Sequence, residues 1–178
     1  VISNTYRKQL EELHKKNEDW GTGPKGNIIR ICNWIYENDI RDILDYGCGK
    51  GENLPMFLPI RVRNYDPAVP KWSKDPKPIG YVLCTDVLEH VEPEYIESVL
   101  KHMVSKFSKK AFVTISMKEA RETLPDGRNA HLIVKPADWW INLIKKYAFI
   151  ESIDFARDNP KQNDLVLVLR RKVVINSI

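Results

Sequence analysis

Cysteine is scarce in this 178-residue chain: Cys32, Cys48 and Cys84 stand far apart, with no CxxC pair among them. That excludes an even-numbered disulfide framework and points to a reducing, cytoplasmic setting. Long hydrophobic runs are also missing, and the first residues are polar and charged. Neither a bilayer span nor a signal peptide is therefore expected. Because the chain opens on Val1, not on Met, a few residues are expected ahead of it. Charge of one sign is not in excess either: the net +4 is spread along the sequence and gives no argument of its own for nucleic acid. There is no internal repeat or low-complexity tract, and no stretch that argues for a partner helix, so the oligomeric state is left open.

What the chain does have is enough apolar residue, 43%, for one well-packed domain over residues 1–178 and too little length for two comfortable ones. Residues 1–26 read as an N-terminal helix with a candidate lid loop, and 27–178 as the core. Tyr6, Leu10 and Leu13 give residues 3–18 one narrow apolar helical stripe, expected to lie across the surface. A loop around Trp20 follows, and Asn27 is placed to cap a helix whose Ile28, Ile31 and Ile35 face inward. Strands are expected at about Asp42–Tyr46, Val62–Tyr65, Tyr81–Thr85, Ala111–Ile115, Phe149–Phe155 and Leu165–Arg170. Helices are expected at about Glu52–Phe57, Pro93–Phe107 and from Pro136, while 67–80, rich in Pro and Lys, reads as irregular. Strands alternating with helices predict an α/β fold, a Rossmann-like doubly wound, mostly parallel sheet with helices on both faces. Ligands of such sheets sit outside the carboxyl ends of the strands. Asp45, Asp66, Thr85, Asp86 and the loop after Ile115 share that rim.

Asp45-Tyr46-Gly47-Cys48-Gly49-Lys50-Gly51 follows an apolar run and has the spacing G-x-G-x-G. The dinucleotide fingerprint G-x-G-x-x-G would meet Glu52 at its third glycine, where a carboxylate suits a diphosphate badly. Asp45 favours a cationic group at the loop, and Asp66, ending the next strand, can accept hydrogen bonds from two ribose hydroxyls. An ammonium plus a ribose describes S-adenosylmethionine.

Residues Ile43–Gly51, Asp66 and Thr85–Val91 resemble class I S-adenosylmethionine-dependent methyltransferases, a likeness that covers about Ile28 to the C-terminus. The runs Thr85–Glu94 and Leu124–Ile133, with Trp139-Trp140, look more closely like a group of small methyltransferases of bacteria and their phages. The resemblance implies six to seven strands with an antiparallel last strand, the family's third strand being vestigial because 67–80 is short. It also implies that Asp45, Gly47, Cys48 and Gly49 hold the methionyl end and Asp66 the ribose. Thr85, Asp86 and Val87 would face the sulfonium, and Pro67, Ala68 or Trp72 the adenine.

A hydroxyl acceptor must lose a proton, either to a general base or through a metal that acidifies it. Asp86-x-x-Glu89-His90, with His131 on a neighbouring loop, offers four ligands for a divalent ion such as Mg²⁺ or Mn²⁺. The pattern resembles the metal-binding E-x-x-E-H of ubiquinone-pathway O-methyltransferases and of enzymes that methylate the terminal 2′-hydroxyl of small RNAs, with Asp for the first Glu. Without metal, Glu89-His90 shapes the pocket and His131 is a candidate general base. Arg128 and Asn129 either orient a substrate or close a turn on themselves. Trp139 is a candidate substrate wall and Trp140 follows the core stripe, while His14 and His102 fall on charged helices and are expected to be solvated.

Exocyclic-amine methyltransferases carry (Asp/Asn)-Pro-Pro-aromatic where this chain has Thr85-Asp86-Val87-Leu88, so DNA base chemistry is disfavoured. The reading is O- or N-methylation of a small molecule or saccharide. An RNA ribose hydroxyl is the alternative acceptor, and a non-catalytic cofactor-binding subunit the rival of another class.

Overall fold

The computed structural model describes residues 2–17, 27–51, 54, 59–156 and 164–172. Within them, six strands form one sheet: β1 (Asp42–Tyr46), β2 (Arg61–Tyr65), β3 (Ile79–Thr85), β4 (Phe107–Ser116), β5 (Ala148–Ala156) and β6 (Asp164–Arg171). Their spatial order is β2-β1-β3-β4-β6-β5. The pairs β2/β1, β1/β3 and β3/β4 are parallel, and β6 runs antiparallel to both β4 and β5. The chain therefore steps outward from β1 to β2 and returns to the far side of β1 as β3. That change of direction is the switch point at which such sheets take a ligand.

Four α-helices are found among the described residues: α1 (Asn4–Lys16), α2 (Ile28–Glu37), α3 (Ile96–Lys106) and α4 (Ala137–Ile144). The period of two along a strand divides its side chains between two cores. Leu44, Tyr46, Val82, Cys84, Val113 and Ile115 join α3 and α4 on one face. Ile43, Leu83 and Phe112 join Ile31, Trp34 and Ile35 of α2 on the other. Central strands are consequently buried on both sides, whereas β2 and β5 at the edges alternate or face solvent. The three cysteines are unpaired. Among the described residues no helix is long and apolar enough to cross a membrane.

Several expectations change. Phe107, read as the end of a helix, opens β4 instead: it is wholly buried and pairs with Ile79. Asn27 stands at the start of α2 but makes no capping bond; its side chain hydrogen-bonds Asp164. Between Pro67 and Pro78 the chain carries only a single 3₁₀ turn, Pro70–Trp72, and β3 begins at Ile79, two residues before the expected Tyr81. The expected helix at Glu52–Phe57 (Leu54 excepted), the Trp20 loop and the turn at 158–160 lie outside the described residues.

Helix α1 docks on loops, not on the sheet. Tyr6 is buried with Leu124 and Ala130, and Leu10 and Leu13 pack against them. Ser3 caps the helix by accepting the Tyr6 N–H at 3.1 Å, and it donates its own N–H and hydroxyl to Glu92 at 2.8 and 2.6 Å. The helix thus lies over the rim where the strands end.

Candidate active site

The strand ends align by register, Tyr46 beside Tyr65, Thr85 beside Thr114 and Ser116 beside Asp164. At the tip of β1 the chain turns through Gly47, Gly49 and Gly51, with φ of 80°, 53° and 69°. A Cβ on Gly47 would stand 2.4 Å from Cγ2 of Val87, so glycine is required both by conformation and by the close approach of the segment after β3. The Gly49 N–H donates to Asp66 Oδ2 at 3.0 Å and the Ala68 N–H to Oδ1 at 2.8 Å, which binds the glycine loop to the end of β2. Each carboxylate oxygen retains a further lone pair.

Asp45 is only 8% exposed, and its carboxylate makes no hydrogen bond or ion pair among the described residues. Burial first, and then the Asp66 charge, push its pKa up to about 7. Burial raises Asp66 as well, and the nearby His14 opposes that rise. His14 is therefore half-buried on the underside of α1, not solvated as expected. Among the described residues, two buried carboxylates have one imidazole, His14, acting on them, a seat that suits a cationic ligand group. Burial also raises the Cys48 thiol, which is inert at neutral pH. Trp72 reaches back to donate its Nε1 to the Lys50 carbonyl at 3.4 Å, while Ala68 is sealed beneath.

His102 departs from expectation too. Its Nδ1 meets the Tyr46 hydroxyl at 2.7 Å and its Nε2 meets Asp75 at 2.7 Å. Asp75 also accepts from the nearly buried Lys106 at 2.7 Å. This chain of bonds straps the loop after Asp66 to α3 and the tip of β1. We expect Asp75→Ala to lower unfolding stability by about 1 kcal/mol, a figure reduced because Asp75 itself is largely solvated. Chemical denaturation checks this, and an unchanged midpoint would mean that the strap is idle.

The second half of the rim begins at Asp86, a non-glycine residue at φ 55°. Its carboxylate accepts from Thr114 Oγ1 at 3.0 Å, and although the residue is exposed, the protein packed around it, followed by the Asp164 charge, raises its pKa above the ordinary 3.8. A 3₁₀ turn, Leu88–His90, then carries Glu89 and His90 inward. Glu89 is wholly buried: Oε1 accepts the Ser116 N–H at 2.7 Å, its carbonyl accepts the Ile133 N–H at 2.9 Å, and Oε2 has no partner among the described residues. Burial, helped by Asp86, raises its pKa well above that of a free carboxyl.

His90 Nδ1 lies 2.8 Å from the Ala130 carbonyl, and His131 Nδ1 is bonded to the Lys118 carbonyl. A carbonyl only accepts, so both imidazoles carry their proton on Nδ1 and the lone pair on Nε2. The rings meet edge to face, 4.6 Å apart. Burial lowers both pKa values, that of His90 to about 3, so both rings are neutral near pH 7. Ligand atoms of Glu89, His90 and His131 lie within 4.8 Å of one another. Asp86, expected as a fourth ligand, stays outside this trio with its carboxylate on Thr114.

Of the two roles open to Arg128 and Asn129, the bonds give the turn. Arg128 is bound to Asp126 at 2.8 and 3.0 Å, and Asn129 bonds Ala120 and the His131 N–H, so the turn closes on itself and places His131. Trp139 is half-buried edge-on against Trp140. The sequence reading missed Tyr6, whose hydroxyl donates to the His90 carbonyl, and the backbone groups of Ser116, Lys118 and Ala130. Tyr6 carried the signal of a core position only, and backbone contacts leave no residue-type signal.

Similarity to known proteins agrees with this geometry. No curated protein sequence matches the chain. The crystal structure of the Burkholderia thailandensis 1,6-didemethyltoxoflavin-N1-methyltransferase, with 1,6-didemethyltoxoflavin and S-adenosylhomocysteine bound, superposes with a TM-score of 0.71 at 16% identity, covering 97% of this chain and 92% of that one. The magnesium protoporphyrin IX methyltransferase of Synechocystis with bound S-adenosylmethionine gives 0.67 at 10% identity, over 96% and 99%. The N-methyltransferase NodS of Bradyrhizobium japonicum, holding S-adenosylhomocysteine, gives 0.62 at 15% identity, over 96% and 100%. The family described as a methyltransferase domain matches residues 5–153, most of the chain. With the glycine loop, the two buried acids and the strand order all in place, the chain belongs to that family and is an S-adenosylmethionine-dependent methyltransferase.

Proposed function

We propose that residues 1–178 form one domain that methylates an oxygen, or a nitrogen, of a small molecule, with a divalent transition metal held by Glu89, His90 and His131. The observation that carries the metal half is the trio itself: two imidazoles oriented by backbone carbonyls beside a buried carboxylate oxygen that no donor among the described residues satisfies. Two nitrogens and one oxygen suit Mn²⁺, Fe²⁺ or Zn²⁺ better than Mg²⁺, which prefers oxygen and retained water. When bound, the ion supplies a Lewis acid that acidifies the acceptor hydroxyl. With the ion bound, Glu89, His90 and His131 together fix the position of the acceptor; without it, the Nε2 lone pair of His131 is the one suited to take the proton. Solved structures of similar fold act on small molecules, which supports that acceptor class over RNA. A screen with labelled S-adenosylmethionine against phenols, saccharides and RNA, with Mn²⁺, Zn²⁺, Mg²⁺ or chelator, tests both halves. Turnover indifferent to chelator removes the metal, and the absence of any cofactor binding removes the enzyme reading.

On the donor side, we assign the cofactor's methionyl ammonium to Asp45, Gly47, Cys48 and Gly49, its ribose to Asp66, its adenine to Pro67 and Trp72, and its sulfonium to the backbone of Thr85–Val87. The acid at Asp45 makes binding depend on pH. A cation favours the carboxylate, so below about pH 7 the site must release a proton to bind, and affinity falls by up to about tenfold per pH unit. The fold responds oppositely. Because the folded pKa is raised above the ordinary 3.8, the folded chain holds a proton that the unfolded chain has released, and the contribution of Asp45 to stability declines as pH rises from about 4 to 7. Calorimetry with S-adenosylmethionine at a series of pH values on either side of about 7 checks the first trend. A flat profile, or unchanged affinity in Asp45→Asn, would remove Asp45 from the seat.

A further inference from the structure

Beside the trio an open cleft of about 500 Å³ is lined by Met117, Val134, Lys135, Pro136, Ala137 and Phe155. It joins the reacting centre through the backbone: Ser116, which precedes Met117, donates to Glu89 Oε1, and Ile133, which precedes Val134, donates to the Glu89 carbonyl. Lys118, on the same segment, holds His131. Met117 and Val134 on the lining are therefore each one residue from a contact that places the trio.

We propose that this cleft seats the methyl acceptor, and that the acceptor is a flat, mostly apolar molecule with one negatively charged group. The proposal rests on the small-molecule reading above and narrows it. Five of the six lining side chains are apolar, and main-chain polar groups lie between them. Phe155 offers an aromatic ring, Pro136 a rigid face and Met117 a polarizable thioether that packs well against rings. The volume is that of a site for a small organic ligand. A saccharide would have to satisfy its hydroxyls on main-chain groups, since Lys135 is the one polar side chain on the lining, whereas a ring can lie against Phe155, Pro136 and Met117. Lys135 is exposed and is the lone charge on the lining, so it complements an anion at the cleft mouth. Val134, 41% exposed, is one of few large apolar residues left open to solvent, as the wall of a ligand seat would be.

The test uses 2-naphthoate as probe, 2-naphthamide as its neutral counterpart and methyl glucoside as a saccharide, titrated by nuclear magnetic resonance into the full chain saturated with S-adenosylhomocysteine. The expected result is saturable naphthoate binding with shifts at Met117, Val134 and Phe155. Lys135→Glu is expected to weaken naphthoate by about tenfold and to leave naphthamide unchanged, while Phe155→Ser weakens both. The proposal is overturned if naphthoate shifts fall elsewhere, if Lys135→Glu affects the two ligands equally, or if the glucoside takes the cleft. None of these readouts requires turnover or metal, so failure of the proposed reaction is distinguishable from failure of the seat.

Discussion

Gly47→Ala is expected to abolish measurable S-adenosylmethionine binding and to lower the thermal midpoint by several degrees. Two costs act together. An alanine at φ 80° adopts a left-handed conformation that L-residues avoid, at about 1–2 kcal/mol. Its Cβ would also stand 2.4 and 2.7 Å from the two methyl carbons of Val87. The loop or the segment after β3 must move, and both border the seat formed by Asp45 and Asp66. Trimming the neighbour separates the two costs: Gly47→Ala with Val87→Ala removes the clash and keeps the strain, so it should regain part of the stability. Calorimetry and thermal unfolding on both variants read this. Wild-type affinity in the single variant would mean that the loop plays no part in holding the cofactor.

Glu89→Gln should leave the fold intact and cost about a hundredfold or more in turnover. Burial pushes the Glu89 carboxyl toward its neutral form, so its amide isostere adds no burial penalty and retains the acceptor for the Ser116 N–H. What glutamine lacks is a carboxyl that can release its proton and present an anionic oxygen when a cation joins the trio. Metal content by elemental analysis should fall with activity while the thermal midpoint stays within a few degrees. Unchanged turnover would place the chemistry elsewhere on the rim.

The strands were legible because apolar runs closed by turn residues mark buried parallel strands, and β1 has the bounds its sequence suggested, Asp42–Tyr46. The glycine loop was legible because its requirement is local. His102 was not, since its partners Tyr46 and Asp75 come from elements far apart in the chain and its own helix is charged. Asp86 shows the opposite limit: spacing brings it within a turn of Glu89, but its positive φ and Thr114 draw its carboxylate aside. Spacing specifies which groups are near, and the backbone decides which of them meet.

Helix α1 leaves the ribosome before the partners that hold it. Ser3, Tyr6 and Gln9 reach partners 89, 84 and 117 residues further along, at Glu92, His90 and Asp126. Closing such long loops is slow compared with pairing neighbours. During synthesis the helix therefore cannot complete its docking until the segment around Asp126 has emerged. The roof over the rim is made before the segments that hold it in place.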